Sequence, residues 1–127
     1  QPQFGETVDN LTLSGFKLNN GSSNEQVTIC GKITQFMVNE QGVASLGALT
    51  MIISNTATIA ARKILKWQSM IEDCCVYQLR ELNVDEEVEV TASFLTVGKR
   101  FCKLEVTMIA QNELCCKALL SLRGVKK

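Results

Sequence analysis

Residues 39–60, NEQGVASLGALTMIISNTATIA, decide how this chain folds. They close a glycine-containing loop, Phe36 to Ser45, and open a helix that is apolar on most of its faces. Leu49, Ile52, Ile53, Ala57, Ala60, Ala61 and Ile64 fall at helical spacing. The pattern predicts a helix from about Leu46 to about Leu65, with Ser45 as its N-cap. Arg62, Lys63 and Lys66 sit in its last turn, where positive charge suits the helix dipole, and Trp67 to Ile71 form its exit. A helix apolar on most faces must be wrapped by other structure. The small residues Ala48, Ser54, Ala57, Ala60 and Ala61 would let a sheet come close.

The wrapping is written on both sides of the helix. Before it, Val27, Ile29, Gly31 and Ile33 alternate with Thr28, Cys30, Lys32 and Thr34, as a half-buried strand requires. After it come four strand patterns. The first covers about residues 73–80. The second, Glu87 to Val97, sets Val88, Val90, Ala92 and Phe94 against Glu89, Thr91 and Ser93. The third, Phe101 to Ala110, sets Cys102, Leu104, Val106 and Met108 against Lys103, Glu105 and Thr107. The fourth runs from Leu114 to Arg123. Gly98-Lys99 reads as a tight turn with glycine supplying positive φ, and Gln111-Asn112-Glu113 reads as the next turn. At the front, residues 1–10 read as a loose lead-in. Leu11, Leu13 and Phe16 suggest a short apolar element, ended by the turn signal Asn19 to Asn24. The whole is one α+β domain over residues 1–127, an antiparallel sheet wrapped around one central helix.

Composition excludes several function classes. Thirteen basic and thirteen acidic residues cancel, so no overall field attracts nucleic acid or an anionic membrane. Arg123, Lys126 and Lys127 form a short basic end that reads as a solvated tail. The longest apolar stretch, Val43 to Ala61, is broken by Ser45, Thr50, Ser54, Asn55, Thr56 and Thr58, so no transmembrane segment is expected. The six cysteines include two adjacent pairs, Cys74-Cys75 and Cys115-Cys116, and there is no histidine. Zinc sites favour spaced cysteine pairs, often with histidine. Adjacent strand residues point to opposite faces, so core thiols in an intracellular reducing compartment are expected, with no metal and no cofactor. The chain begins at Gln1, which suits a mature chain trimmed after organelle import or a recombinant product.

The order of loop, helix and sheet resembles the hotdog fold, specifically the PaaI-type acyl-CoA thioesterases. The resemblance covers about residues 27–123. It is most specific in Asp85-Glu86-Glu87-Val88-Glu89-Val90, leading to Leu95-Thr96-Val97-Gly98-Lys99. A cystatin-like domain also wraps a helix in a four-stranded antiparallel sheet, but sets that helix nearer the N-terminus, without such a strand and glycine loop before it.

The resemblance implies a site at the helix start. The family has an Asn, a Gly three residues on, a His-Gly-Gly, and an Asp two helical turns later that activates water or attacks the thioester. Here the Asn matches Asn39 and the Gly matches Gly42. The His-Gly-Gly falls on Ser45-Leu46-Gly47, and the Asp falls on Ser54. A water-positioning residue of some members falls near Ile71 or Glu72. Gly42, Ser45, Leu46 and Gly47 are the implied ligand-binding residues, with backbone N–H groups at the helix start as the donors. The base is missing, because a helical serine in a chain without histidine has no partner to activate it. Glu40, Glu72 and Asp73 are the replacement acids to weigh. The resemblance therefore implies a catalytically degenerate hotdog protein: a homodimer or hotdog-type heterodimer through strand 73–80, and a subunit of a larger assembly, mitochondrial or cytoplasmic. The alternative is an active thioesterase releasing free fatty acid and CoA from acyl-CoA.

Overall fold

The computed structural model describes residues 17–18 and 26–125. The lead-in, the element at Leu11 to Phe16, the turn at Asn19 to Asn24 and the last two lysines lie outside those residues. Strands β1 (Lys17–Leu18), β2 (Gln26–Lys32), β3 (Ser69–Gln78), β4 (Glu87–Val97), β5 (Phe101–Ala110) and β6 (Glu113–Gly124) form one sheet around helix α1 (Leu46–Ala60). The spatial order is β1-β2-β4-β5-β6-β3, with every pairing antiparallel. The chain goes from β2 through the helix to the far edge, β3, and then fills the middle with the β4-β5-β6 meander. That path curls the sheet over the helix.

The alternating patterns place the inner face as expected. Val88, Val90 and Ala92 of β4, together with Cys102, Leu104, Val106 and Met108 of β5, are buried against the helix. So are Val27 and Ile29 of β2 and Cys116, Ala118, Leu120 and Leu122 of β6. From the helix, Leu49, Ile52, Ile53, Ala57 and Ala60 are fully buried in the same cluster. A large aliphatic side chain buried in this way stabilises the fold by about 1.5–3 kcal/mol. Thr56 is also fully buried, and its hydroxyl donates to the Ile52 carbonyl at 2.7 Å, so it adds no unsatisfied group to the core.

Several expectations need correction. The α-helix stops at Ala60 and continues as one wider π-type turn, Ala61–Leu65. Lys66 then takes the left-handed conformation, φ 61°, and the Ala61 carbonyl accepts from the N–H groups of Lys66 and Trp67. This abrupt reversal starts β3 at Ser69, not at residue 73. The strand ends at Gln78, not at residue 80, because the N–H groups of Leu79 and Arg80 both turn onto the Cys115 carbonyl. Gly98 does not use a positive φ; its N–H donates to Phe101 O at 2.7 Å. Positive φ belongs instead to Gln111 (53°) and Asn112 (62°), the hairpin turn between β5 and β6.

The cysteines divide between core and surface. Cys102, Cys115 and Cys116 are buried, Cys74 is half-buried, and Cys30 and Cys75 are exposed. Cys115 and Cys116 are both buried despite being adjacent, because the register shifts between Met108 and Ile109 and interrupts strict alternation. Burial raises the Cys116 thiol to about 11, so it is inert at neutral pH.

Candidate functional site

The loop before the helix is built by its own polar atoms. The Asn39 side-chain oxygen accepts from the N–H groups of Gln41 (2.9 Å) and Val43 (3.1 Å). Its backbone N–H donates to Val43 O, and its carbonyl accepts from Gly42 N. Asparagine suits this post because its short side chain mimics a turn of backbone. Gly42 has φ 79°, which a side chain would strain. The chain then closes on the Val38–Ala44 bridge and enters the helix at Ser45, whose hydroxyl accepts from Ala48 N at 3.1 Å. Asn39, Gly42 and Ser45 thus shape the loop that leads into the helix start.

At the helix start, Ser45, Leu46 and Gly47 are exposed. Among the described residues, no protein acceptor takes the N–H groups of Leu46 or Gly47. A Cβ placed on Gly47 would meet nothing within 4 Å, so the space beside it is open. Free N–H groups at the positive end of a helix attract an oxygen carrying negative charge. Ser54 lies two turns along, half-buried, with its carbonyl accepting from the Thr58 hydroxyl at 3.1 Å.

The acids are placed less favourably for catalysis. Glu72 is the unpaired residue where the β3–β6 register shifts, and its Oε2 accepts from Arg123 Nε at 2.7 Å. That contact raises the Arg123 pKa and commits the carboxylate within its own sheet. Asp73 is exposed on the strand edge and Glu40 is exposed in the loop. No group of three or more metal-ligating side chains exists among the described residues, and no helix among them is long and apolar enough to cross a membrane.

A clamp that the sequence does not reveal supports the loop. Arg80 donates to both oxygens of Glu86, at 3.3 and 2.8 Å, and also to the Glu81 carbonyl and the Cys115 sulfur. Glu86 further accepts from Asn83 N (2.8 Å) and Asn83 Nδ2 (3.2 Å). The Arg80 guanidinium, with the Asn83 N–H, holds the Glu86 carboxyl below its usual range. Residues 80–86 so tied present Leu82 O to Ala44 N (2.7 Å) and Val84 N to Gly42 O (2.9 Å). The ion pair therefore positions the loop that positions the helix start. Glu86 stood inside the family-like Asp85–Val90 stretch, but its partner could be found only from the fold.

β3 is the outer strand on its side of the sheet among the described residues. Met70 and Tyr77 of this strand, and Leu79 just after it, are more than half exposed. A ten-residue edge with apolar side chains is the kind of edge that another strand covers.

No family model matches the chain. It is 28% identical over its full length to the uncharacterized protein YtoI of Bacillus subtilis, and spans 29% of that relative's length. Solved structures match it in shape. A hypothetical thioesterase from Streptococcus pneumoniae, solved with coenzyme A, superposes with a TM-score of 0.83 at 15% identity, over 90% of this chain and 88% of that one. The PaaI protein of the E. coli phenylacetic acid degradation operon gives 0.82 at 13% identity, over 91% and 83%. Smu.793 of Streptococcus mutans, bound to acetyl CoA, gives 0.81 at 12% identity, over 89% and 90%. With its helix wrapped in this strand order and these neighbours in shape, the chain has the hotdog fold, the fold of the PaaI-type thioesterases that its sequence resembles.

Proposed function

We propose that this chain is an acyl-CoA-binding hotdog module that works as a pair of copies joined through β3 and has lost hydrolysis. The observation that carries this reading is the helix start: unaccepted N–H groups at Leu46 and Gly47, open space beside Gly47, and a stapled loop behind them. Such donors suit a thioester carbonyl oxygen. Coenzyme A and acetyl CoA in two structures of this fold support the ligand class. What is missing is a base. Position 54 is serine, the chain has no histidine, and Glu72 is engaged by Arg123. General base catalysis typically contributes 10²–10⁴-fold, so a bound thioester would persist. Because the matching relative is much longer, the module would serve a larger polypeptide or assembly as a ligand-holding or structural part.

The second reading is an active thioesterase that draws a carboxylate from the neighbouring copy. Asp73 favours it, being exposed on the edge that the pair would share. Hydrogen exchange separates the readings from an empty site. Acetyl-CoA is expected to protect the amides of residues 41–48, and thiol release is expected to stay at the uncatalysed rate. Turnover abolished by Asp73→Asn would establish the second reading. Exchange unchanged by ligand would remove both.

A further inference from the structure

Among the described residues, β3 pairs with β6 on one side and leaves its other edge open. From Asp73 to Gln78 its side chains alternate without interruption. Asp73, Cys75 and Tyr77 stand on the outer face, opposite Ser121, Leu119 and Lys117 of β6, while Cys74 and Val76 turn inward against the core. Glu72, the unpaired residue at the register shift, ends that alternation. A second copy joined antiparallel along this edge, with both helices on the same face, is related to the first by a two-fold axis perpendicular to the sheet. Residues directly opposite each other then point to the same face. Because side chains alternate with period two, opposed residue numbers differ by an even number, and the axis falls on one residue opposed to itself. Asp73 at that place would set two carboxylates against each other. Cys74 there would drive the Glu72 bulge into the partner strand beside Val76. Val76 there would press the Gln78 amide against half-buried Cys74. Cys75 there opposes Asp73 to Tyr77 and Cys74 to Val76, so the whole regular run 73–77 is matched in face and chemistry.

The charges around β3 fit the same arrangement. Before the strand stand Arg62, Lys63 and Lys66, all exposed; after it stands exposed Glu81, with the loop of Glu40 bonded alongside through Ala44 N and Leu82 O. A two-fold axis sets the start of one strand beside the end of the other, so the basic end of each copy lies toward the acidic end of its partner. We infer that two copies of this chain join along β3 about an axis at Cys75, so that the two Cys75 thiols face each other and form a disulfide when an oxidant is supplied. The inference rests on the pairing in the reading above and not on the ligand. Opposed Cα atoms of an antiparallel pair stand ~4.5–5.5 Å apart, within the span of a disulfide. Cys75 is exposed on the outer face, whereas Cys74 is half-buried and burial raises its thiol above the usual range. Two Cys75 thiols give up two protons and two electrons as the S–S bond forms, and an azodicarboxamide oxidant such as diamide takes up both as its hydrazine.

The test uses the chain carrying Cys30→Ser, which removes the other exposed thiol. Sedimentation counts the copies, and a non-reducing gel after diamide reads the cross-link. The expected result is a pair by sedimentation, with rapid linkage both in this chain and when Cys74→Ser is added. Adding Cys75→Ser instead is expected to slow linkage by ~10²-fold, because the thiols are no longer held together, while the pair itself remains. Cys75→Asp is expected to split the pair, since it sets like charges directly opposite. Linkage lost with Cys74→Ser, or a pair that neither links nor splits in Cys75→Asp, would put the axis elsewhere and overturn the inference while pairing through β3 stands. Single copies throughout would sink the pairing itself and this inference with it, and acyl-CoA binding would then be judged by its own titration.

Discussion

The two sides of the central helix contrast sharply. One side presents Leu49, Ile52, Ile53, Ala57 and Ala60, all fully buried under the sheet. The other presents Gly47, Met51, Ser54 and Thr58, exposed or half-buried, with Asn55 at its flank. Packing explains the first side completely. On the second lie small or polar residues, and beside them a buried amide nitrogen without a hydrogen-bond partner. The lesson is that packing under the sheet accounts for the residues of one side and leaves those of the other without a packing role.

Breaking the packed side should give the largest effect. Leu49→Ala is expected to cost about 2–5 kcal/mol, because it removes buried methyl groups and leaves a cavity. Urea denaturation checks it, and a loss below 1 kcal/mol would mean that this side is loosely packed. Gly42→Ala should cost about 1–2 kcal/mol, since the left-handed backbone there penalises a side chain. Acetyl-CoA affinity should fall with it as the loop shifts.

The Arg80–Glu86 clamp sharpens the contrast through pH. The folded-state pKa of Glu86 lies below its unfolded value, so its stabilising contribution is complete above about pH 4.3 and fades as pH falls through the folded value. Glu86→Gln should therefore lower the thermal midpoint by several degrees at pH 7, with the difference shrinking at lower pH. A difference that persists unchanged to pH 2 would show that the carboxylate charge is not what holds the loop. The smallest expected effect is at Gly47. Alanine there should raise stability by a few tenths of a kcal/mol through helix propensity, yet weaken acetyl-CoA binding by filling the open space. Unchanged affinity would move the ligand away from the helix start.

Much of the packed side was legible in the residue order. The alternation at Val88, Val90 and Ala92, and again from Cys102 to Met108, named buried residues because period-two patterning follows directly from strand geometry. Ser45 was legible as a cap for the same local reason. What escaped depends on geometry that no local pattern encodes. Lys66 turns left-handed without being glycine, which moved the start of β3. A register shift buried Cys115 beside Cys116. The partner of Glu86 is fixed by the turn after β3, and the burial of Asn55 is set by tertiary packing. The candidate site was legible as positions, from Asn39 through Gly47 to Ser54, but the roles of Asn39 and Glu72 as structural bonds appeared only once their partners were in place.

The most direct test of the account follows binding and chemistry in one sample: calorimetric titration of the wild-type chain with acetyl-CoA, with thiol release read from the same cell. The account predicts saturable heat with no release above the uncatalysed rate. Steady thiol release would contradict it, as would the absence of any heat.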